Sequence, residues 1–205
     1  MHRFFRDDGR AALTRAVAAF EACTSAELVV SVRARSDGYP LTSAIAGCIG
    51  ALATTAALLY SEPAFELHWF LVLPLVMGAL VGSLARVPAL QRLLVLRRTQ
   101  DARVQAAARA LFVERGVADT RGRTGVLLYV SLAERLCAFV VDLGVRERVP
   151  QVAWDASTDV IRSHVGRGCA ARDLVEPIAA LGGVCGRHLP RREDDVNELD
   201  DGVMS

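Results

Sequence analysis

Two uncharged stretches constrain this chain more than anything else in it: Leu41 to Tyr60, twenty residues, and Leu67 to Ala85, nineteen residues. At ~1.5 Å rise per residue, a helix of either length reaches roughly the ~30 Å of a bilayer's hydrocarbon core. The reading is two transmembrane helices. Between them stand only Ser61, Glu62, Pro63, Ala64, Phe65 and Glu66. Pro63 stops the first helix, and so short a link brings the second back antiparallel beside it. The alternative is a pair of core helices in a soluble protein. It suffers from size, since 205 residues leave too little protein to wrap two uncharged helices of this length.

With that hairpin set aside, about 140 to 150 residues remain, enough for one soluble domain with a core of its own. Hydrophobic residues make up 52% of the chain. The mean hydropathy of +0.30 is high for a soluble protein, and the excess is concentrated in the middle. A net charge of +1 gives no general attraction to nucleic acid, so no nucleic-acid partner is expected. Cys23, Cys48, Cys137, Cys169 and Cys185 form no C-x-x-C and no Cys/His pair at zinc spacing, which predicts reduced thiols. The first residues, Met1 to Asp8, run into a charged amphipathic segment and do not read as a signal peptide.

All basic residues are arginines, and their placement gives an orientation. Arg33 and Arg35 precede the first span, and Arg86, Arg92, Arg97 and Arg98 follow the second. The link between the spans carries Glu62 and Glu66 but nothing basic. Positive charge marks the cytoplasmic side, so both termini and the soluble domain are expected in the cytoplasm at the plasma or inner membrane. The run from Arg86 to Arg109 also suits contact with anionic lipid.

Taken in order, Asp7 and Asp8 can cap a first helix with Leu13, Ala16, Val17 and Phe20 on one face. Glu27 to Arg35 is β-branched and partly alternating, a first strand closed by Ser36-Asp37-Gly38. In the second span, Gly78 and Gly82 are spaced for close helix packing, and Gly47, Gly50, Ala51 and Ala53 give the first span a small face. Packing within the hairpin and self-association through the same glycines are the two uses open to them. His68-Trp69 stands at the outer edge of the second span.

Beyond the membrane, Pro88 to about Arg98 reads as an interfacial helix with Leu90, Leu93 and Leu94 toward lipid. Asp101 to Arg115 reads as a helix with Val104, Ala107, Ala108 and Leu111 on one face. Thr124 to Ser131 and Leu136 to Asp142 form a strand hairpin, both nearly continuous apolar runs, so helices should cover the sheet on both faces. Pro150 to His164 and Arg172 to Arg187 are further helices, with Pro177 a kink or late start. The tail from Glu193 is acidic and poor in core residues. The first two strands are joined by a crossover containing a helix, which favours a parallel, right-handed pair. The boundaries are therefore 1–38 and 99–190 for one domain, 39–98 for the inserted hairpin with its basic segment, and 191–205 for the tail.

Three segments together resemble a family. Thr24 to Val30, Arg123 to Arg135 and Val140 to Val145 are similar to the TPM domain, in particular to its bacterial membrane variants with an inserted hairpin; Asn197-Glu198-Leu199 is similar to that variant's ending. The resemblance implies a three-layer α/β/α fold. Its relatives include thylakoid-lumen proteins linked to photosystem II repair, some with acid phosphatase activity, calcium-binding bacterial members and a receptor-modulating membrane protein. The inserted hairpin and the cytoplasmic side separate this chain from the lumenal members.

Catalytic patterns are mostly missing. The sequence has no G-x-S-x-G, Walker A, H-E-x-x-H or G-x-G-x-x-G, and no D-x-D aspartyl nucleophile. A cysteine phosphatase needs an arginine six residues after its nucleophile, where Cys137 has Leu143 and Cys169 has Val175. The histidines at 2, 68, 164 and 188 stand apart from any nucleophile in sequence. One constellation remains. A turn at Leu132 to Arg135 sets Asp142 opposite Gly125 and diagonal to Arg123, and a parallel first strand brings Thr24, Ser25 and Glu27 to the same edge. Glu27 and Asp142 could share a divalent cation such as calcium, or Asp142 could simply pair with Arg123. Thr24, Arg123, Glu134 and Arg135, polar members of the motif segments, are the candidate binding residues.

The leading expectation is a two-span protein of the lipid bilayer that presents a TPM-like domain as a docking, assembly or maintenance module for another membrane protein or complex. A weak metal-dependent phosphatase using Glu27 and Asp142 is the alternative, and a self-associating structural membrane protein the second.

Overall fold

The computed structural model describes residues 7–36, 39–61 and 65–191. It is a mixed α/β fold with eight α-helices and one three-stranded mixed sheet among those residues. The chain divides into two compact units, an α/β unit from residues up to Ser36 and from Asp101 onward, and a helical unit spanning Asp37–Gln100.

In the α/β unit, helix α1 (Asp7–Glu21) leads into strand β1 (Glu27–Arg33). Asp7 and Asp8, expected as caps, lie within α1 as described, and the residues before them, where a cap would stand, lie outside the described residues. Strand β2 (Gly125–Ser131) is central, parallel to β1 with Glu27 opposite Gly125, and antiparallel to β3 (Leu136–Val141) with Ser131 opposite Leu136. Side chains alternate across a strand, so each strand serves two cores. Leu28, Val30, Val126, Leu128, Val130 and Cys137 face Leu13, Ala16, Val17 and Phe20 of α1 together with residues of α7 (Gln151–Arg167) and α8 (Val175–His188). Val29, Leu127, Tyr129 and Ala138 face Val104, Ala108, Leu111 and Phe112 of α5 (Arg97–Glu114). This two-sided burial is why β2 reads as an unbroken apolar run.

The helical unit holds α2 (Pro40–Tyr60), α3 (Trp69–Leu84) and α4 (Pro88–Leu94). Helix α2 is long and apolar enough to cross a membrane; α3 passes that test only together with α4, across a bend of 93°. Helix α3 is three residues shorter than its sequence stretch, sixteen in all. At ~1.5 Å per residue it is about 24 Å long. Glu62, Pro63 and Ala64 of the expected link, Asp37 and Gly38 of the first turn, and the acidic tail lie outside the described residues.

Several boundaries differ from the sequence reading for identifiable reasons. The segment expected as one helix from Pro88 to Arg98 breaks at Val95, which is extended (ψ 126°), and α5 starts at Arg97 rather than Asp101. The third strand stops at Val141 because Asp142 caps a short helix, α6 (Leu143–Arg148), that periodicity did not predict. Helix α7 runs past His164 to Arg167 and ends at Gly168 in the left-handed region (φ 80°). Before α8 comes a 3-10 turn, Ala171–Leu174. Pro177 therefore sits in the first turn of α8, where a missing N–H loses no helical bond.

Candidate functional site

At the entry end of the parallel pair, β1 and β2 are tied by polar groups that all have work within the fold. The Thr24 hydroxyl, 2% exposed, donates to the Leu189 carbonyl at 2.7 Å and accepts from the Ala26 N–H at 3.2 Å. Thr124 donates from its hydroxyl to the Ser25 carbonyl at 3.0 Å, and its N–H bonds the Thr120 hydroxyl at 2.9 Å. A buried hydroxyl costs free energy unless it is paired; here the Thr24–Leu189 and Thr124–Ser25 bonds clamp the β1 entry to other segments of the unit, and the other two bonds are local. Thr24, a candidate for binding, is a clamp.

Glu27 and Asp142 flank Gly125 on its two neighbouring strands, at an expected backbone separation of about 10 Å given ~4.8 Å between adjacent strands. Glu27 is buried beside Gly125 through the β1 register, and the Asp142 N–H donates to the Gly125 carbonyl at 2.9 Å. The Asp142 carboxylate is 5% exposed and fully engaged. One oxygen accepts from the Leu143 N–H at 2.6 Å, the helix cap, and takes Arg123 Nη2 at 3.0 Å; the other accepts from Arg123 Nε at 3.3 Å. A calcium ion takes six to eight oxygen ligands. To bind here it would have to displace a guanidinium fork and uncap α6. The cap and the guanidinium together account for both oxygens of Asp142. Among the described residues no group of three or more His, Cys, Asp or Glu side chains is placed to hold a metal.

Arg123 and Arg135 are the two non-glycine residues with positive φ among those described, 50° and 54°. Left-handed backbone is uncommon for a long side chain, so both are held by their surroundings. For Arg123 these are a turn bond from its N–H to the Thr120 carbonyl at 3.0 Å and the Gly144 N–H donating to its own carbonyl at 2.9 Å. A Cβ at Gly144 would come within 2.7 Å of that carbonyl, so only glycine fits there. The sequence gives a cue to this corner in Asp142-Leu143-Gly144, a cap followed by a residue without a side chain.

At the other end of the sheet, the β2–β3 turn is pinned to the exit of β1 by backbone bonds from Leu132 to Arg33 and from Ala133 to Ala34, both 3.0 Å. The Glu134 carboxylate, 3% exposed, accepts from the Ser36 hydroxyl at 2.9 Å and from the Ser131 hydroxyl. The next residue, Arg135, lies with its guanidinium over Gly168, beside an open cleft of about 520 Å³ lined by His164, Arg167, Cys169, Arg172, Asp173 and Glu176. Sequence reasoning brought Glu134 and Arg135 forward but not this cleft, since His164 and Cys169 approach the turn only through the α7 end. Cys169 is no ready nucleophile, its thiol being pushed up to about 11 by burial and by the nearby Asp173 carboxylate. Burial raises Cys137 to about 12.

In the helical unit, α2 and α3 meet through glycines. Gly78 and Gly82 face Gly47, Ala51 and the Ser43 carbonyl, and a Cβ on Gly47 would lie 2.9 Å from the Gly78 carbonyl. Backbones approach this closely only where side chains are missing. Ala53, expected on the small face, is exposed instead.

No protein-family model matches this chain, and no curated protein sequence does. A solved structure does: the NMR structure of BA42 protein from the psychrophilic bacterium Bizionia argentinensis, with a TM-score of 0.59 at 16% sequence identity, over 98% of this chain and 94% of that one. The likeness is one of fold. It gives this chain a BA42-like mixed α/β architecture over nearly its full length.

Proposed function

We propose that this is a multi-pass membrane protein whose hairpin spans the bilayer twice, with both termini and the TPM-like α/β unit on the cytoplasmic side as a docking or assembly module for a membrane complex. One observation carries the membrane part. Only 11% of the most apolar window of α2 is buried. Leu41, Leu52 and Leu59 stand 65 to 70% exposed, with Leu71 and Leu75 of α3 alike. A core helix of a soluble protein would have these residues covered, and water would oppose leaving them bare. Lipid supplies the missing apolar surroundings. The arginine distribution around the spans supports the orientation.

The module reading rests on how the α/β unit uses its polar residues. Thr24, Arg123, Asp142 and Glu134 are committed to holding strand ends, and the cysteines with raised thiols are protonated at neutral pH. Strand β3, by contrast, pairs on one side only in the described sheet and carries no charge along Leu136–Val141, an edge that another chain's strand could join. Topology is the direct test. A reporter active only in the cytoplasm should work fused at Ser205 and fail inserted at Ala64. The reverse result would overturn the orientation, and complete release of the protein by alkaline carbonate would overturn the membrane reading. Purification from native membranes should bring down a membrane neighbour that a charged substitution in β3, Phe139→Glu apart because that ring packs on Trp154, releases.

A further inference from the structure

Helix α4 does not continue α3. Pro88 at its first turn pushes Val87 to extended backbone (ψ 128°), and the axis turns by 93°. If α3 crosses the bilayer, α4 runs along its surface. Seven residues make a marginal helix alone. This one is locked from behind by Gln100, whose Nε2 lies 3.0 Å from the Val95 carbonyl and 3.4 to 3.5 Å from those of Arg92 and Gln91. Gln100 is 2% exposed, so the lock is sheltered from water where it meets carbonyls at the helix end, that of Gln91 also accepting from the Val95 N–H at 2.8 Å.

What α4 then holds out is apolar and basic together. Leu93 is 85% exposed, Leu96 77% and Leu94 52%. Arg86, Arg92, Arg97 and Arg98 flank or intersperse them in the sequence, and the stretch from Leu67 to Gln100 contains no acidic residue. An exposed leucine cluster alone would suit many partners. A helix turned at right angles to a span, apolar and accompanied in sequence by arginines, matches one surface: the headgroup layer of an anionic leaflet, where leucines reach the acyl boundary and arginines meet phosphates.

We infer that α4, with Arg92 within it, Arg86 before it and Arg97 and Arg98 at the start of α5, forms a fixed shelf that docks on anionic phospholipid headgroups beside the hairpin. This rests on the membrane reading, and the test separates the two. The full-length protein, purified in a neutral detergent, is exposed to phosphatidylglycerol or phosphatidylcholine, and retained lipid is counted by native mass spectrometry. One arginine near an anionic surface contributes about fivefold in binding, so a preference for phosphatidylglycerol of about tenfold or more is expected. The R86Q/R92Q/R97Q/R98Q variant should lose it. R97Q/R98Q, altered at two exposed positions, should weaken it with the fold intact by circular dichroism. Leu93→Glu should lower retention of both lipids. Equal retention of the two lipids, a preference that survives the fourfold change, or displacement of the lipid by inorganic phosphate overturns the shelf. Release of the wild type from membranes by carbonate would instead remove the membrane reading on which it stands.

Discussion

Leucine and valine mean opposite things in the two units of this protein. In the sheet, Leu127, Leu128 and Val130 are fully buried, while in the hairpin Leu52, Leu71 and Leu75 are 65 to 70% exposed. The same side chains satisfy the same rule in both places, because each is removed from water by whatever neighbours it. The α/β unit supplies those neighbours from its own chain. The hairpin has almost none of its own, and what holds its helices together is the contact of glycine backbones rather than an apolar core. On the membrane reading proposed above, hydrophobicity drives folding in one unit and placement in the other.

The sharpest way to break this contrast is to truncate one large apolar side chain in each. Phe20 is fully buried in the larger core, and Phe20→Ala should cost about 3 to 5 kcal/mol. Leu52→Ala, at a site 70% exposed, should leave the α/β unit unchanged. Each unit has one tryptophan, Trp69 in α3 and Trp154 in α7, so fluorescence unfolding in a Trp69→Phe background reports the α/β unit alone. Equal losses for the two changes would mean that Leu52 is packed against protein.

Adding volume tests the hairpin. Gly78→Leu should drive α2 and α3 apart at a cost of about 1 to 3 kcal/mol, read as earlier unfolding of the Trp69 signal in a Trp154→Phe background, with Trp154 fluorescence unmoved in a Trp69→Phe background. An unchanged Trp69 transition would show that the glycine contact does not hold the pair.

Alkali should act on the α/β unit. Burial raises Cys137 and Cys185 from 9.0 to about 12. A thiol held protonated in the fold gives its full stabilisation below pH 9, and loses it as pH rises from there toward 12, because the unfolded chain ionises first. The loss is at most about 1.4 kcal/mol per pH unit for each thiol. Denaturation midpoints should be flat below that window and fall within it, and fall less steeply in Cys185→Ala; an unchanged slope in that variant would exclude the thiol as a cause.

The smallest effects belong to the Arg123–Asp142 pair, because the arginine side chain is 60% exposed. Asp142→Asn keeps a good helix cap and should cost about 1 kcal/mol or less, whereas Asp142→Ala loses the cap as well and should cost more. Calcium or magnesium should leave the melting temperature where it is. A rise abolished by both Asp142→Asn and Glu27→Gln would put a cation between the two carboxylates, since a ligand at ~100 times its dissociation constant adds about 2.7 kcal/mol.

Sequence alone determined what depends on runs and periods. The uncharged stretches marked α2 and α3, the apolar runs marked β2 and β3, and the register that sets Asp142 against Gly125 follows from the length of one turn. These are local properties, written in consecutive residues. Tertiary structure decided how the polar residues are spent. That Asp142 caps α6 and pairs with Arg123 depends on where a neighbouring N–H and a guanidinium come to rest, and the carbonyls at the Val95 break meet a Gln100 that folds back to them. A hydrogen bond needs a partner at a given distance and angle, and only the folded chain sets both.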